Sequence, residues 1–204
     1  MRPPSKPNII LILADDMGFS DLGCMGSEIR TPNIDRLAAG GQTYTAMYNC
    51  ARCCPTRASL LTGLYPHKAG IGHMTASYGS EAYQGYLRND AVTIAEVLRL
   101  AGYRTLMSGK WHVGGSYKPR ETDLWLPGDV THPTPRQRGF DRFFGTLDGS
   151  GSYFFPHYIG EDDHRVDIEQ DDFYMTDAIT DKAVEMIGDA VSDHKPFFLY
   201  LAYT

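Results

Sequence analysis

The chain has 204 residues, 42% of them hydrophobic and 22% charged, which is enough to build one substantial core. Its formal net charge of -6 excludes a general attraction for nucleic acid or an anionic membrane surface, so affinity for an anionic ligand has to be local. No apolar run approaches the roughly 18 residues of a membrane span, and the leader Met1–Pro7 is too short and proline-rich for a signal peptide. As written the chain reads as cytoplasmic, and as periplasmic or secreted if the natural chain carries a leader.

Asn8–Ala14 is a continuous apolar run with β-branched content, which predicts a central strand buried on both faces of a parallel sheet. It ends in Asp15-Asp16. Adjacent carboxylates repel unless a cation lies between them, and open α/β sheets keep their sites beyond the carboxyl ends of strands; a helix N-cap or a solvated turn is the other reading. Thr31–Gly40 reads as a helix capped by Thr31, with Pro32 first and Gly40 just beyond its end, packing Ile34 and Leu37 onto the sheet. Gln42–Tyr48 is expected as a short strand, completing a β-α-β unit.

Cys50–Gly63 follows. Pro55 suits the first turn of a helix and Gly63 the residue just past its end, so Cys53 sits at or before the helix N-terminus. Unpaired N–H groups and the positive end of the helix dipole favour negative charge there, and Arg57 adds a cation one turn on. This is a nucleophile position inside an anion hole. Cys50-x-x-Cys53-Cys54 also resembles half a zinc site, but no second Cys or His pair stands at structural-zinc spacing. Four cysteines are too few for a disulfide scaffold, and Cys24, Cys50 and Cys54 read as free or buried thiols. His67 and His73, in the glycine-punctuated loop after this helix, carry no motif and read as surface or packing residues, with a substrate contact as the other reading of His73.

Thr93–Gly102 has a capping box, Thr93 with Glu96, and an apolar stripe of Ile94, Val97, Leu98 and Ala101. Tyr103–Ser108 is the next strand and delivers Gly109-Lys110-Trp111-His112 to the sheet's carboxyl edge. An extended Lys110-x-His112 pair points both side chains the same way, toward one anion. Gly114–Arg138 reads as a long loop bordering the site, and Phe140, Phe143 and Phe144 as core. Asp148–Asp172 reads as an acidic loop whose clusters Glu161–Asp163 and Asp171–Asp172 are solvated surface. Asp177–Val191 is an amphipathic helix with Ile179, Ala183, Met186 and Ile187 inward, and Phe197–Tyr203 a final strand.

Cys53-x-Pro55-x-Arg57, continued as Ala58-Ser59-Leu60-Leu61-Thr62-Gly63, resembles the signature of the type I, formylglycine-dependent sulfatases, arylsulfatase-like members of the alkaline phosphatase superfamily. Three further segments match that family: Asn8–Asp16, Thr31–Leu37 and Gly109–His112. The resemblance implies an α/β alkaline-phosphatase-like sandwich, a mostly parallel central sheet with helices on both faces. It implies hydrolysis of sulfate monoesters by a Cα-formylglycine that a maturation enzyme forms from Cys53. In that scheme Asp15, Asp16 and residue 53 hold a divalent metal, calcium by preference for hard oxygen donors and magnesium as the alternative. Lys110 holds a sulfate oxygen, Arg57 offsets charge, and His112 is the general base. Family members are about twice this length or more, so residues 1–204 are expected to be the amino-terminal part of the catalytic domain. Two further metal ligands, a leaving-group histidine and a second lysine would come from later sequence, leaving these residues alone with little activity. The rival readings are a phosphate mono- or diester hydrolase of the same fold and an inactive chain with unconverted cysteine.

Overall fold

The computed structural model describes residues 6–116, 128–156, 159–168 and 172–204. Its strands are Ile9–Leu13 (β1), Arg104–Gly109 (β2), Arg142–Gly145 (β3), Ile159–Glu161 (β4), His164–Val166 (β5) and Phe197–Ala202 (β6), in sheet order β1-β6-β2-β3-β4-β5. The first four in that order run parallel, and β4 and β5 add an antiparallel margin. Helices are Pro32–Gly40 (α1), Cys53–Thr62 (α2), Ile94–Leu100 (α3) and Met175–Ser192 (α4).

Strand alternation is the reason the sheet is covered twice. Phe198, Tyr200 and Ala202 of β6 and Met107 of β2 join a core made with Cys54, Ala58 and Leu61 of α2 and Ala95 of α3. Phe197, Leu199 and Leu201, with Leu106, face the other way and meet Met175, Ile179, Ala183, Met186 and Ala190 of α4. Every residue of β6 is therefore buried, as a central parallel strand requires. Each large side chain so placed contributes about 1.5–3 kcal/mol of transfer free energy. Phe140 stacks between Phe198 and Tyr200 and meets Trp111 edge-on, so the aromatics after the long loop are core, as expected.

Several local expectations are corrected. Among the described residues β1 lies at the edge of the sheet: Ile9, Leu11 and Leu13 pack on the core, but Ile10 and Ile12 are 50% and 55% exposed. Gln42–Tyr48 forms no strand and is exposed, because its aromatics find no partner strand among the described residues. Helix α1 forms where expected, yet Ile34 and Leu37 are exposed and none of its residues is buried. The Thr31 hydroxyl does not cap it; it donates to Asp35 Oδ1 at 2.7 Å and accepts the Gly23 N–H at 2.8 Å. In α3 both halves of the capping box form, but Ala95 is the buried position and Val97 is exposed. The acidic loop contains the β4–β5 hairpin, and Glu161, Asp162 and Asp163 pair with Lys182, Arg142 and Arg136 rather than facing solvent alone. Residues 117–127 of the long loop and Asp171 lie outside the described residues.

Candidate active site

Helix α2 starts at Cys53, with Arg52 extended as its N-cap, Pro55 in the first turn and Gly63 ending it at φ 69°. The chain enters through Ala51, a non-glycine residue in the left-handed region at φ 58°, and the Cys50 N–H bonds to the Thr56 hydroxyl at 3.2 Å. Residue 53 is half-buried, among the free N–H groups of the first turn.

Arg57, one turn on, is fully buried. Its guanidinium donates to the Lys110 carbonyl at 2.7 Å, the Tyr200 hydroxyl at 3.2 Å and the Tyr203 carbonyl at 3.3 Å. It therefore ties α2 to the ends of β2 and β6, and it lies 3.4 Å from Asp15 Oδ2. The Lys110 ammonium, on a residue only 5% exposed, pairs with the same carboxylate oxygen. Burial works against charge on Asp15, but the hydrogen bond from Lys110 and the two cations outweigh it and hold the carboxyl below its ordinary value. Asp16 is exposed, in the left-handed region at φ 50°, and has no ion pair among the described residues.

The exit from β2 differs from the extended geometry expected of it. Gly109 adopts φ 117°, and a Cβ there would stand 1.8 Å from the Ala202 carbonyl oxygen, so only glycine lets β2 and β6 approach this closely. Beyond it the Lys110, Trp111 and His112 N–H groups bond to the Ala202, Thr146 and Leu147 carbonyls at 2.7, 2.9 and 3.1 Å. His112 takes φ 54°, so the pair is not extended throughout, but Lys110 still lies near enough for its charge to act on the imidazole. Trp111 turns into the core and donates its indole N–H to the Pro133 carbonyl at 2.7 Å.

His112 is 5% exposed. Burial, followed by the charges of Lys110 and Arg57, pushes its pKa down to about 3, so the ring is neutral through the physiological range. Its Nδ1 is buried without a hydrogen-bond partner. Gly149 closes over the ring: a Cβ there would stand 2.0 Å from His112 Nε2. Gly149 was missed in the sequence, where the only signal is the Gly149-Ser150-Gly151 punctuation after Asp148. Cys54, read in the sequence as a free or buried thiol, is free and fully buried, and the ligand atoms of Cys53, Cys54 and His112 lie within 4.8 Å of one another. That cluster includes neither Asp15 nor Asp16. Of the loop histidines, His67 bonds to the Tyr83 hydroxyl at 3.0 Å, and His73 lies 3.2 Å from the Arg52 guanidinium.

Asp15, Arg57, Lys110, His112 and Cys53 thus share the carboxyl edge of the sheet, as one carboxylate, two cations, a neutral imidazole and a thiol at a helix head. A comparison with known proteins gives this arrangement its context. The family model described as Sulfatase matches residues 7–204. The chain belongs to the sulfatase family. It is 36% identical to an arylsulfatase of Klebsiella aerogenes over 213 residues, which is 98% of this chain and 42% of that protein. It is 41% identical to the steryl-sulfatase of Homo sapiens over 145 residues, 69% of this chain and 24% of that one. Among solved structures, Ps i-CgsB superposes with a TM-score of 0.81 at 35% identity, over 98% of this chain and 45% of that one. A protein solved with its substrate, D-glucosamine-2-N,6-O-disulfate, superposes with a TM-score of 0.74 at 30% identity, over 98% and 34%. The sulfatase chain spans less than half the length of these relatives, and its fold is theirs. Among the described residues no helix is long and apolar enough to cross a membrane.

Proposed function

We propose that the protein carrying this chain hydrolyses sulfate monoesters, arylsulfatase-like, with residue 53 as the nucleophile after conversion to formylglycine by a maturation enzyme. The observation that carries the reading is the meeting of Cys53, at the head of α2, with a neutral buried imidazole and a paired cluster of two cations on one carboxylate. The names of its relatives support the substrate class: one is an arylsulfatase, and another was solved with a sulfated sugar.

A hydrated aldehyde at position 53 supplies two hydroxyls, one to attack sulfur and one to expel sulfate afterwards. Everything else falls to side chains of the chain itself. The N–H groups of the first turn of α2 and the Lys110 ammonium stabilise the sulfate oxygens as charge builds on them. Arg57, fully buried and bound to the Lys110 and Tyr203 carbonyls, acts through its charge and by fixing its neighbours, not by touching substrate. Neutral His112 accepts the proton of the second hydroxyl. Its low pKa makes it a weak base in the resting site, and the negative charge of the arriving sulfate ester raises it by offsetting Lys110 and Arg57.

For a metal, the donor chemistry fits in part. Asp15 spends one carboxylate oxygen on Lys110 and Arg57, and the other oxygen, with the exposed Asp16, offers hard donors of the kind calcium or magnesium takes. The Cys53 sulfur is a soft donor and suits such a cation only once conversion has replaced it with oxygen. Bound there, the cation would neutralise charge on the sulfate.

The test uses the full-length protein. Mass spectrometry of the peptide bearing residue 53 should show the aldehyde, trapped by a hydrazide, and aryl sulfates should turn over faster than matched aryl phosphates. Lys110→Ala should lower kcat by about 100-fold or more, the effect of losing one charge-stabilising donor. Faster phosphate hydrolysis, or turnover by a chain whose Cys53 is unmodified, overturns the proposal.

A further inference from the structure

The hydrolytic scheme leaves Cys54 and Met74 without a task. Yet the ligand atoms of Cys53, Cys54 and His112 lie within 4.8 Å of one another, and Met74 Sδ stands 4.0 Å from Cys53 Sγ. Two thiols, a thioether and an imidazole are a soft donor set, which selects thiophilic d10 ions over the hard cations suited to Asp15 and Asp16. A d10 ion holds thiolate sulfur at about 2.3 Å, so two sulfurs sharing one ion stand at most about 4.6 Å apart. Closing from within 4.8 Å needs movements of tenths of an ångström. The imidazole of this cluster is itself only 5% exposed, and its Nδ1 is buried without a hydrogen-bond partner. An orphaned buried nitrogen costs free energy that a ligand at the site would recover.

We propose that, before conversion, Cys53, Cys54 and His112 bind one Cu(I) ion, with the Met74 thioether alongside. Binding releases the two thiol protons to solvent and changes no oxidation state. Two thiolates and a monovalent ion carry one net negative charge, and Arg57, Lys110 and Asp15 together carry one positive charge beside them. A divalent ion would leave that positive charge unopposed, so the monovalent ion matches the surroundings better. Conversion of Cys53 removes one of the thiolates, so the site belongs to the immature protein. The proposal rests on the thiol form and its geometry and is independent of the sulfatase reading, because binding is read without turnover.

Full-length, unconverted protein is titrated anaerobically against the Cu(I)–bicinchoninate complex, whose loss of colour counts the ions transferred. One Cu(I) per chain is expected. Cys53→Ala and Cys54→Ala should each weaken binding at least tenfold, since even changes outside the ligand set cost about 10–100-fold in metal affinity. The Cys24→Ser/Cys50→Ser double variant should bind like the wild type. No transfer to the wild type, transfer that survives either alanine substitution, or loss in the double variant overturns the proposal. Cys54 is fully buried, so its variant is scored only if its circular dichroism matches the wild type; otherwise Cys53→Ala, at a half-buried position, decides.

Discussion

Asp15→Asn removes the carboxylate that pairs with both buried cations, Arg57 and Lys110, and its cost can be worked from the geometry. Arg57 is fully buried and 3.4 Å from Asp15 Oδ2, and Lys110 is 5% exposed and bonded to the same oxygen. At that separation and an effective dielectric of about 20, one such attraction is worth about 5 kcal/mol before desolvation. Breaking a buried pair from one side costs about 3–5 kcal/mol, because an uncompensated charge stays behind. Asparagine can still accept a hydrogen bond from Lys110, so about 3 kcal/mol is expected, or a melting point about 6–12 °C lower for a chain of this size. Urea denaturation of wild type, Asp15→Asn, Lys110→Met and the double variant measures it. The double variant should lose clearly less than the two singles combined, since removing both partners leaves a smaller imbalance. A loss below about 1 kcal/mol for Asp15→Asn, or strict additivity in the cycle, would refute the shared-carboxylate account.

Three further outcomes follow from other parts of the fold. Gly149→Ala should displace the His112 ring, which a Cβ would meet at 2.0 Å, and lower activity of the full-length protein at least tenfold while circular dichroism stays native. His112 binds a proton near pH 6.5 when unfolded but only near 3 when folded, so the unfolded chain holds the extra proton between those values and stability falls as pH drops. Between pH 7 and 5 the loss should be about 2 kcal/mol in urea unfolding, and His112→Gln should flatten that slope. Thr93→Ala deletes the hydroxyl that accepts the Glu96 N–H at 3.1 Å and donates to the Arg138 carbonyl at 2.8 Å, and should cost about 1–2 kcal/mol by chemical denaturation.

What the sequence shows well is whatever is encoded over a few neighbouring residues. The Thr93–Glu96 box, Pro55 and Gly63 around α2, and the unbroken apolar run of β6 each carry their own structural instruction, and each forms. What depends on a distant partner is less legible. Asn8–Ala14 has the composition of a central strand, but among the described residues β1 pairs with β6 alone, and the face that carries Ile10 and Ile12 is left uncovered. Gln42–Tyr48 and the apolar face of α1 depend in the same way on surfaces that a local pattern cannot reveal. Within the site, the motif residues could be singled out in advance, whereas the turn at His112, the lid-like Gly149 and the nearness of Cys54 and Met74 depend on where β2 stops pairing with β6.

Asp16, Ala51 and His112 all sit in left-handed backbone conformations that side chains disfavour, each at a cost on the order of 1 kcal/mol. Three such bends at one sheet edge work like a sprung frame, kept in tension by the two cores behind it. On warming, that frame should relax before the cores melt, so catalytic competence would fade at temperatures where spectroscopy still reports an intact fold.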